Sequence, residues 1–141
     1  MIFFSAIRIV SCFMIFEYKF EVRGYELDSF CHVNNAVYLN YIEQARWDIL
    51  KKSGFMEELI NKGFFLVVTE TNIKYIREAG LFDELIVKTE MKREDPYLVF
   101  YQSIYNEKSE LKLTKAVVKT LLVDKNRIPY DIPDKFVNFE V

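Results

Sequence analysis

One segment of this sequence has a strong helical pattern, and long β-rich segments follow it. Its apolar residues recur at steps of four, three and four, which places them on one face of a helix. They are Tyr38, Ile42, Ala45 and Ile49. Asn34 or Asn35 is a suitable N-cap, and Ser53-Gly54 ends the pattern. A single long helix must bury its apolar face against another layer, and the β-rich segments can supply that layer.

Alternating or β-rich segments predict the strands of this layer. They are residues 17–25, 64–77, 85–92, 98–105 and 113–123, with a bulge expected within the second and an irregular tail from Pro129. Residues 55–62 are expected to add one short helical turn. Short turn signals separate the later strands, and short turns join antiparallel neighbours. We therefore predict an α+β domain in which an antiparallel sheet wraps around one long central helix.

Composition narrows the functional classes. The chain has 141 residues, which corresponds to one domain, and its 51% hydrophobic content is enough for a core. The net charge of −2 shows no basic excess, so nucleic-acid binding is not expected. A single histidine and two distant cysteines, Cys12 and Cys31, argue against a metal site and a disulfide framework. Reduced cysteines are typical of a cytoplasmic protein, which is the location we expect.

The first residues form an apolar run that we interpret as an extension. Residues 1–16 are mostly apolar, but Arg8 interrupts them and no positive residue precedes them. They are also shorter than a membrane-spanning helix requires, so we expect no membrane span. We interpret residues 1–13 as an N-terminal extension that results from a translation start assigned too far upstream. Residues 14–141 are then a single domain.

The stretch from Tyr25 to Arg46, YELDSFCHVNNAVYLNYIEQAR, carries the residues that suggest chemistry. It resembles the motif of the hotdog-fold thioesterases, in particular the 4-hydroxybenzoyl-CoA and YbgC-like acyl-CoA thioesterase group. That motif runs Asp-x-Asp-x-x-Gly-His-Val-Asn-Asn and continues with Tyr, Tyr, Glu and Ala-Arg. The matching positions are Asp28, His32, Val33, Asn34, Asn35, Tyr38, Tyr41, Glu43, Ala45 and Arg46. The resemblance continues to about residue 134 and implies a hotdog fold.

The resemblance implies that Asp28 is the catalytic residue, as nucleophile or general base. Backbone N–H groups at the start of the helix, near residues 34–36, carry partial positive charge and are suited to polarising a thioester carbonyl. His32, Asn34 and Asn35 are candidates for positioning the substrate or the oxyanion, with loop shaping and capping as the structural alternatives.

Three further residues are candidates for lining the pocket: Tyr38, Glu43 and Glu70. Tyr38 is otherwise a core residue, and Glu43 can instead form an ion pair with Arg46 three positions along the helix. Glu70 is either a pocket residue contributed by a neighbouring subunit or a solvated strand residue.

Three positions depart from the related motifs. The first aspartate of the family motif is Glu26 here, which keeps the charge. The glycine before the histidine is Cys31, and glycine at such a place allows a positive φ or a close approach of substrate. Plant acyl-carrier-protein thioesterases have an asparagine two residues after the aspartate, where this chain has Phe30. That difference argues against the same mechanism in this chain.

The expected function is therefore hydrolysis of an acyl-CoA thioester to the free acid and CoA. The resemblance implies a homodimer or homotetramer with acyl pockets between subunits. It also implies that no metal or redox cofactor is needed, since coenzyme A is part of the substrate. The alternatives are an acyl-carrier-protein thioesterase, a non-hydrolytic acyl-CoA-binding protein on the same fold and, less favoured, a hotdog dehydratase. Aromatic, short and medium acyl groups all remain open at this point.

Overall fold

The computed structural model describes residues 14–137. The extension assigned to residues 1–13 and the last four residues lie outside this range. The strands are β1 Ile15–Glu21, β2 Phe64–Tyr75, β3 Glu84–Glu94, β4 Tyr97–Asn106, β5 Lys112–Asp124 and β6 Pro129–Tyr130. The helices are α1 Asn35–Ser53 and α2 Phe55–Lys62, with short 3-10 turns at Gly24–Glu26 and Asp134–Phe136.

The strands form one antiparallel sheet with the order β1-β3-β4-β5-β2, and β6 pairs with the far end of β5. The connection from β2 to β3 crosses the sheet, because β2 pairs with β5 and not with its neighbour in sequence. β2 is a single strand whose register shifts between Val68 and Glu70, so the predicted bulge is confirmed. Beyond its pairing with β5, β2 is an edge of the sheet.

The sheet curves around α1 and covers its apolar face. The four residues that define the predicted face, together with Tyr41, are all buried. They pack on the inward residues of the central strands, among them Leu85, Val87, Leu98, Phe100 and Ile104. The amide of buried Gln102 fixes the helix to the sheet, since its Nε2 donates to the Ile42 carbonyl at 2.9 Å and to Thr89 Oγ1 at 3.1 Å. The predicted sheet around one central helix is confirmed.

Some details of the elements differ from the expectation; β2, for example, ends at Tyr75 and not at residue 77. β1 ends at Glu21 and not at residue 25, because the chain turns into the 3-10 segment where Glu26 is buried and paired with Arg23. α2 is an eight-residue helix and not a single turn. Within residues 14–137, neither helix is long and apolar enough to cross a membrane.

Candidate active site

The loop between the first 3-10 turn and α1 is closed by its own backbone. Asp28 N donates to the His32 carbonyl at 2.8 Å, and Leu27 and Val33 form an isolated bridge. Asp28 Oδ1 accepts from the Phe30 amide at 2.9 Å and from the His32 amide at 3.3 Å. One carboxylate oxygen therefore shapes the loop, while Oδ2 has no hydrogen-bond partner within the described part of the chain.

Cys31 occupies the tightest point of this loop with a φ of 62°. This left-handed conformation favours glycine, which explains why the related motif has a glycine at this position. The Cys31 side chain is exposed and its thiol is free. The exposed position leaves room for the cysteine side chain, while the positive φ strains the backbone.

The start of α1 lies beside this loop. Asn34 is the N-cap, and its Oδ1 accepts from the Ala36 amide at 3.0 Å. The Asn34 amide donates to the Glu26 carbonyl at 2.9 Å, so two of the three amides expected to face a substrate are already bonded. The Asn35 amide, at the first helical position, has no acceptor among the described residues. It is the remaining donor at this helix terminus.

A cleft of about 300 Å³ joins the loop to the end of β2. Asp28, His32, Asn35 and Tyr38 line it, as the motif suggested, whereas the Asn34 side chain is occupied in capping. The sequence reasoning did not assign Phe30, Ile76, Arg77 or Glu78 to the site, yet all four line the cleft. Phe30 lies in a loop, and the other three lie beyond the end of β2. In such segments no alternation of polar and apolar residues predicts which way a side chain points.

Two tyrosines fix the walls of the cleft. The Tyr38 hydroxyl accepts from the Ala79 amide at 2.9 Å, and burial raises the pKa of Tyr38. The Tyr75 hydroxyl donates to the Asn35 carbonyl at 2.9 Å, and its ring packs edge-on against Tyr38. Tyr75 thereby ties the end of β2 to the start of α1. Tyr38 is thus both a core residue and a wall of the cleft.

Glu26 is a buried carboxylate next to the loop and stabilises it. Its side chain is only 5% exposed, and Arg23 donates to it from the backbone at 2.7 Å and from the guanidinium at 2.9 Å and 3.1 Å. Burial alone would raise the pKa of Glu26, but these hydrogen bonds outweigh it, and the pKa is lowered. Burial raises the pKa of the Tyr41 hydroxyl, and its interaction with the Glu26 carboxylate raises it further.

Glu43 and Glu70 lie away from Asp28 in the same chain. Glu43 borders a second cavity, of about 310 Å³, between α1, α2 and β2. Arg46 does not pair directly with Glu43, since its guanidinium donates to Gln102 Oε1 at 3.0 Å. Glu70 lies on the outer face of the sheet, 3.7 Å from Lys119 Nζ. A role for Glu70 in the pocket of a neighbouring subunit stays a prediction.

The cleft brings together three groups that can take part in acid–base chemistry: the Asp28 carboxylate, the His32 imidazole and the first residue of α1, Asn35. Within the described part of the chain, Asp28 Oδ2 and the Asn35 amide have no hydrogen-bond partner. Among residues 14–137, no three His, Cys, Asp or Glu side chains are grouped as a metal site.

Comparison with known proteins places this geometry in a family. The family model described as "Thioesterase-like superfamily" matches residues 22–139. Long-chain acyl-CoA thioesterase FadM of Escherichia coli is 40% identical over 75 residues, which are 53% of this chain and 57% of FadM. Acyl-acyl carrier protein thioesterase ATL3 of Arabidopsis thaliana, a chloroplastic protein, is 30% identical over 129 residues, which are 87% of this chain and 68% of ATL3.

A solved structure shows the same architecture. The crystal structure of YbaW, a probable thioesterase from Escherichia coli, is 31% identical and superposes with a TM-score of 0.76. The match covers 82% of this chain and 88% of that one. The hotdog fold expected from the motif is therefore confirmed. On the family match, the fold and the site geometry together, this chain belongs to the thioesterase-like superfamily of hotdog proteins.

Proposed function

We propose that the protein hydrolyses acyl-CoA thioesters in the cleft beside Asp28. The observation that carries the proposal is that Asp28 and Asn35 line the same cleft, while Asp28 Oδ2 and the Asn35 amide have no hydrogen-bond partner among residues 14–137. Thioester hydrolysis needs an activated oxygen on one side of the carbonyl carbon and a donor for the developing oxyanion on the other. The cleft offers both groups within one loop and helix terminus.

Two routes use the same oxygen. As a general base, Asp28 Oδ2 takes a proton from water while the water oxygen adds to the carbonyl carbon. As a nucleophile, Oδ2 adds directly and forms an acyl anhydride that water then cleaves. In both routes the Asn35 N–H stabilises the oxyanion, and the C–S bond breaks as the thiolate of CoA leaves. The thiolate takes a proton from the His32 imidazole, which also lines the cleft; the proton released by the attacking water, which Asp28 carries in the general-base route, restores the imidazole through solvent.

The relatives leave the thiol carrier open. FadM is named an acyl-CoA thioesterase, whereas ATL3 is named an acyl-acyl carrier protein thioesterase. We favour CoA because Phe30 stands where the related pattern of plant acyl-carrier-protein thioesterases has an asparagine. The exposed Arg77 at the rim of the cleft also offers a cation for a phosphate of the CoA moiety.

The function is proposed for a homodimer or homotetramer. β2 ends at the cleft and has one edge that no described strand pairs with, and Val67 and Val68 on it are 44% and 47% exposed. A free edge with exposed apolar side chains is a surface that pairing with a second copy would cover. Such pairing would bring residues of a second subunit toward the cleft, which is the setting in which Glu70 was expected to act.

A free-thiol release assay tests the proposal. The same acyl group is offered on CoA and on an acyl carrier protein, and release of the thiol is followed with a chromogenic disulfide. We expect faster release from CoA. Faster release from the carrier protein would favour the second candidate function, and binding of acyl-CoA without release on either carrier would identify a non-hydrolytic binding protein.

A further inference from the structure

A cavity of about 200 Å³ lies on the outer face of the sheet, the face turned away from α1. Lys88 of β3, Ser103 of β4 and Lys115 of β5 line it. They form one row across the three strands, because Lys88 pairs with Ser103 and Ser103 pairs with Lys115. Adjacent strands lie about 4.8 Å apart, so the backbones of the two lysines are about 10 Å apart with the serine hydroxyl between them.

The row carries positive charge that the described chain does not neutralise. On β2, Lys74 lies directly opposite Lys115, and like charges in opposite positions of a sheet destabilise the pairing of the strands. Within residues 14–137, neither of these two lysines has a carboxylate partner. Lys88 has only Glu17, whose carboxylate is 4.0 Å from Lys88 Nζ. An anion held in the row would relieve the repulsion between β2 and β5.

Two local features prepare the row for an anion. The half-buried Ser103 hydroxyl has no hydrogen-bond partner in the described part of the chain, so it can donate to a ligand. The Tyr105 ring lies between two lysine side chains, with Lys88 Nζ at 5.2 Å and Lys112 Nζ at 5.4 Å from its centroid. These cation–π contacts restrict the lysine side chains, which lowers the entropy lost when an anion orders them.

The remaining walls of the cavity indicate the kind of anion. Lysine ammonium groups commonly bind phosphate as point charges, and a phosphate monoester carries up to two charges at neutral pH. Ile15 and the Tyr101 ring add apolar surface for an organic group on the phosphate. Glu90 also lines the cavity, but its carboxylate is 3.5 Å from Lys92 Nζ and is therefore already paired. The volume is below the roughly 300 Å³ at which pockets for larger ligands begin, which favours a small ester group.

This cavity is separate from the Asp28 cleft. Successive side chains of a strand point to opposite faces of the sheet, so Lys74 and Tyr75 lie on opposite sides of β2. Tyr75 is on the inner side, where its hydroxyl donates to the Asn35 carbonyl at the cleft. The row of lysines is on the outer side, and the thioester chemistry does not use it.

We propose that the outer face of the sheet binds a phosphate monoester between Lys88 and Lys115, over the Ser103 hydroxyl. The bound phosphate neutralises the row and stabilises the pairing of β2 with β5. A free phosphate ester and the phosphate monoester of CoA share this chemistry, and competition between ligands distinguishes the two sources.

Calorimetric titration with inorganic phosphate at constant ionic strength tests the site directly. For the wild-type chain we expect saturable binding with a Kd below about 10 mM. Lys88→Gln/Lys115→Gln should weaken it at least about ten-fold, and Ser103→Ala at least about three-fold. Lys125→Gln is the matched control, since Lys125 is exposed in the turn after β5 and lies outside the row, and it should bind phosphate as the wild type does.

Thermal unfolding separates a ligand site from a structural role of Lys115. Without phosphate, Lys115→Gln should unfold at the same or a higher temperature than the wild type, because the repulsion with Lys74 is removed. With saturating phosphate, the wild type should gain about 3 °C and the variant clearly less. A purely structural lysine would give the opposite result, a lower Tm without phosphate and an unchanged gain with it.

Competition identifies the source of the phosphate. Displacement of inorganic phosphate by CoA and not by dephospho-CoA would assign the site to the monoester of CoA, and displacement by neither would assign it to a free phosphate ester. Three results would overturn the proposal. They are an absence of saturable binding, equal binding in the wild type and Lys88→Gln/Lys115→Gln, and equal displacement by CoA and dephospho-CoA. None of these measurements requires thioester hydrolysis, so the proposed function is tested independently.

Discussion

Cys31 holds a backbone conformation that most side chains avoid. A left-handed residue other than glycine costs about 1–2 kcal/mol, while glycine adds about 0.5–1 kcal/mol of unfolded-state entropy. We therefore expect Cys31→Gly to raise the free energy of unfolding by about 0.5 kcal/mol. Thiol release should stay near the wild-type rate. Urea denaturation measures the stability, and a clear loss of stability or activity would show that the thiol has a role of its own.

Glu26 is a buried carboxylate whose charge is held by Arg23. Its pKa is lowered in the folded state, so its charge contributes stability above the ordinary carboxyl pKa of 4.5. That contribution is lost as the pH falls through the lowered folded-state pKa. Glu26→Gln should therefore cost about 1–3 kcal/mol at pH 7.

The pH dependence identifies the cause of that cost. The difference in unfolding free energy between wild type and Glu26→Gln should be constant above about pH 5 and shrink below it. Denaturant titrations at a series of pH values measure it. A difference that does not change with pH would mean that Gln disturbs packing and that the charge of Glu26 does not stabilise the loop.

At the scale of the element, the start of α1 carries both stability and chemistry. The Asn34 side chain accepts from the Ala36 amide, and removing such a cap typically costs about 1 kcal/mol. Asn34→Ala should lower the free energy of unfolding by that amount and also reduce turnover, because the Asn35 amide loses its fixed direction. Asn40→Ala, on the exposed face of the same helix, is the control: it should leave turnover unchanged, and it should not lower the free energy of unfolding because alanine favours the helix more than asparagine does.

Local elements were predictable from the sequence, and their assembly was less so. The bounds of α1 follow from its own residues: the Asn34 cap, the apolar repeat and the left-handed Gly54 at its end. The early end of β1 does not follow from the residues of the strand itself, because it depends on the burial of Glu26 against Arg23. The pairing of β2 with β5 joins residues about 50 positions apart, such as Glu70 and Lys119, and no local pattern encodes it.

The residues of the candidate site divide in the same way, into those that a local motif predicts and those that only the assembly of the fold brings to the cleft. Asp28 and His32 could be assigned because they belong to one short motif that folds on itself. Arg77 reaches the cleft through the crossover after β2, and it could not be assigned from its neighbours. The apolar cavity was also missed, since it combines α1, α2 and β2 with Phe100 of β4 and Thr120 of β5.

At the scale of the whole molecule, β2 forms an edge of the sheet that no strand within residues 14–137 covers. We expect two or four copies to associate through this edge, since association would satisfy its backbone groups and cover Val67 and Val68. Val67→Lys should shift the equilibrium toward single chains, because two-fold pairing brings like charges together. Light scattering over a range of concentrations measures the stoichiometry. A wild-type chain that is monomeric at every concentration would contradict this expectation.

The most direct test of the account is thiol release by Asp28→Asn. An asparagine keeps the oxygen that accepts from the Phe30 and His32 amides, so the loop should hold its shape. It replaces the free carboxylate oxygen with an amide nitrogen that can neither attack the carbonyl nor accept a proton. We predict that kcat for acyl-CoA falls at least about a hundred-fold while the unfolding curve stays that of the wild type. Turnover within a few fold of the wild type in a folded Asp28→Asn protein would contradict the account.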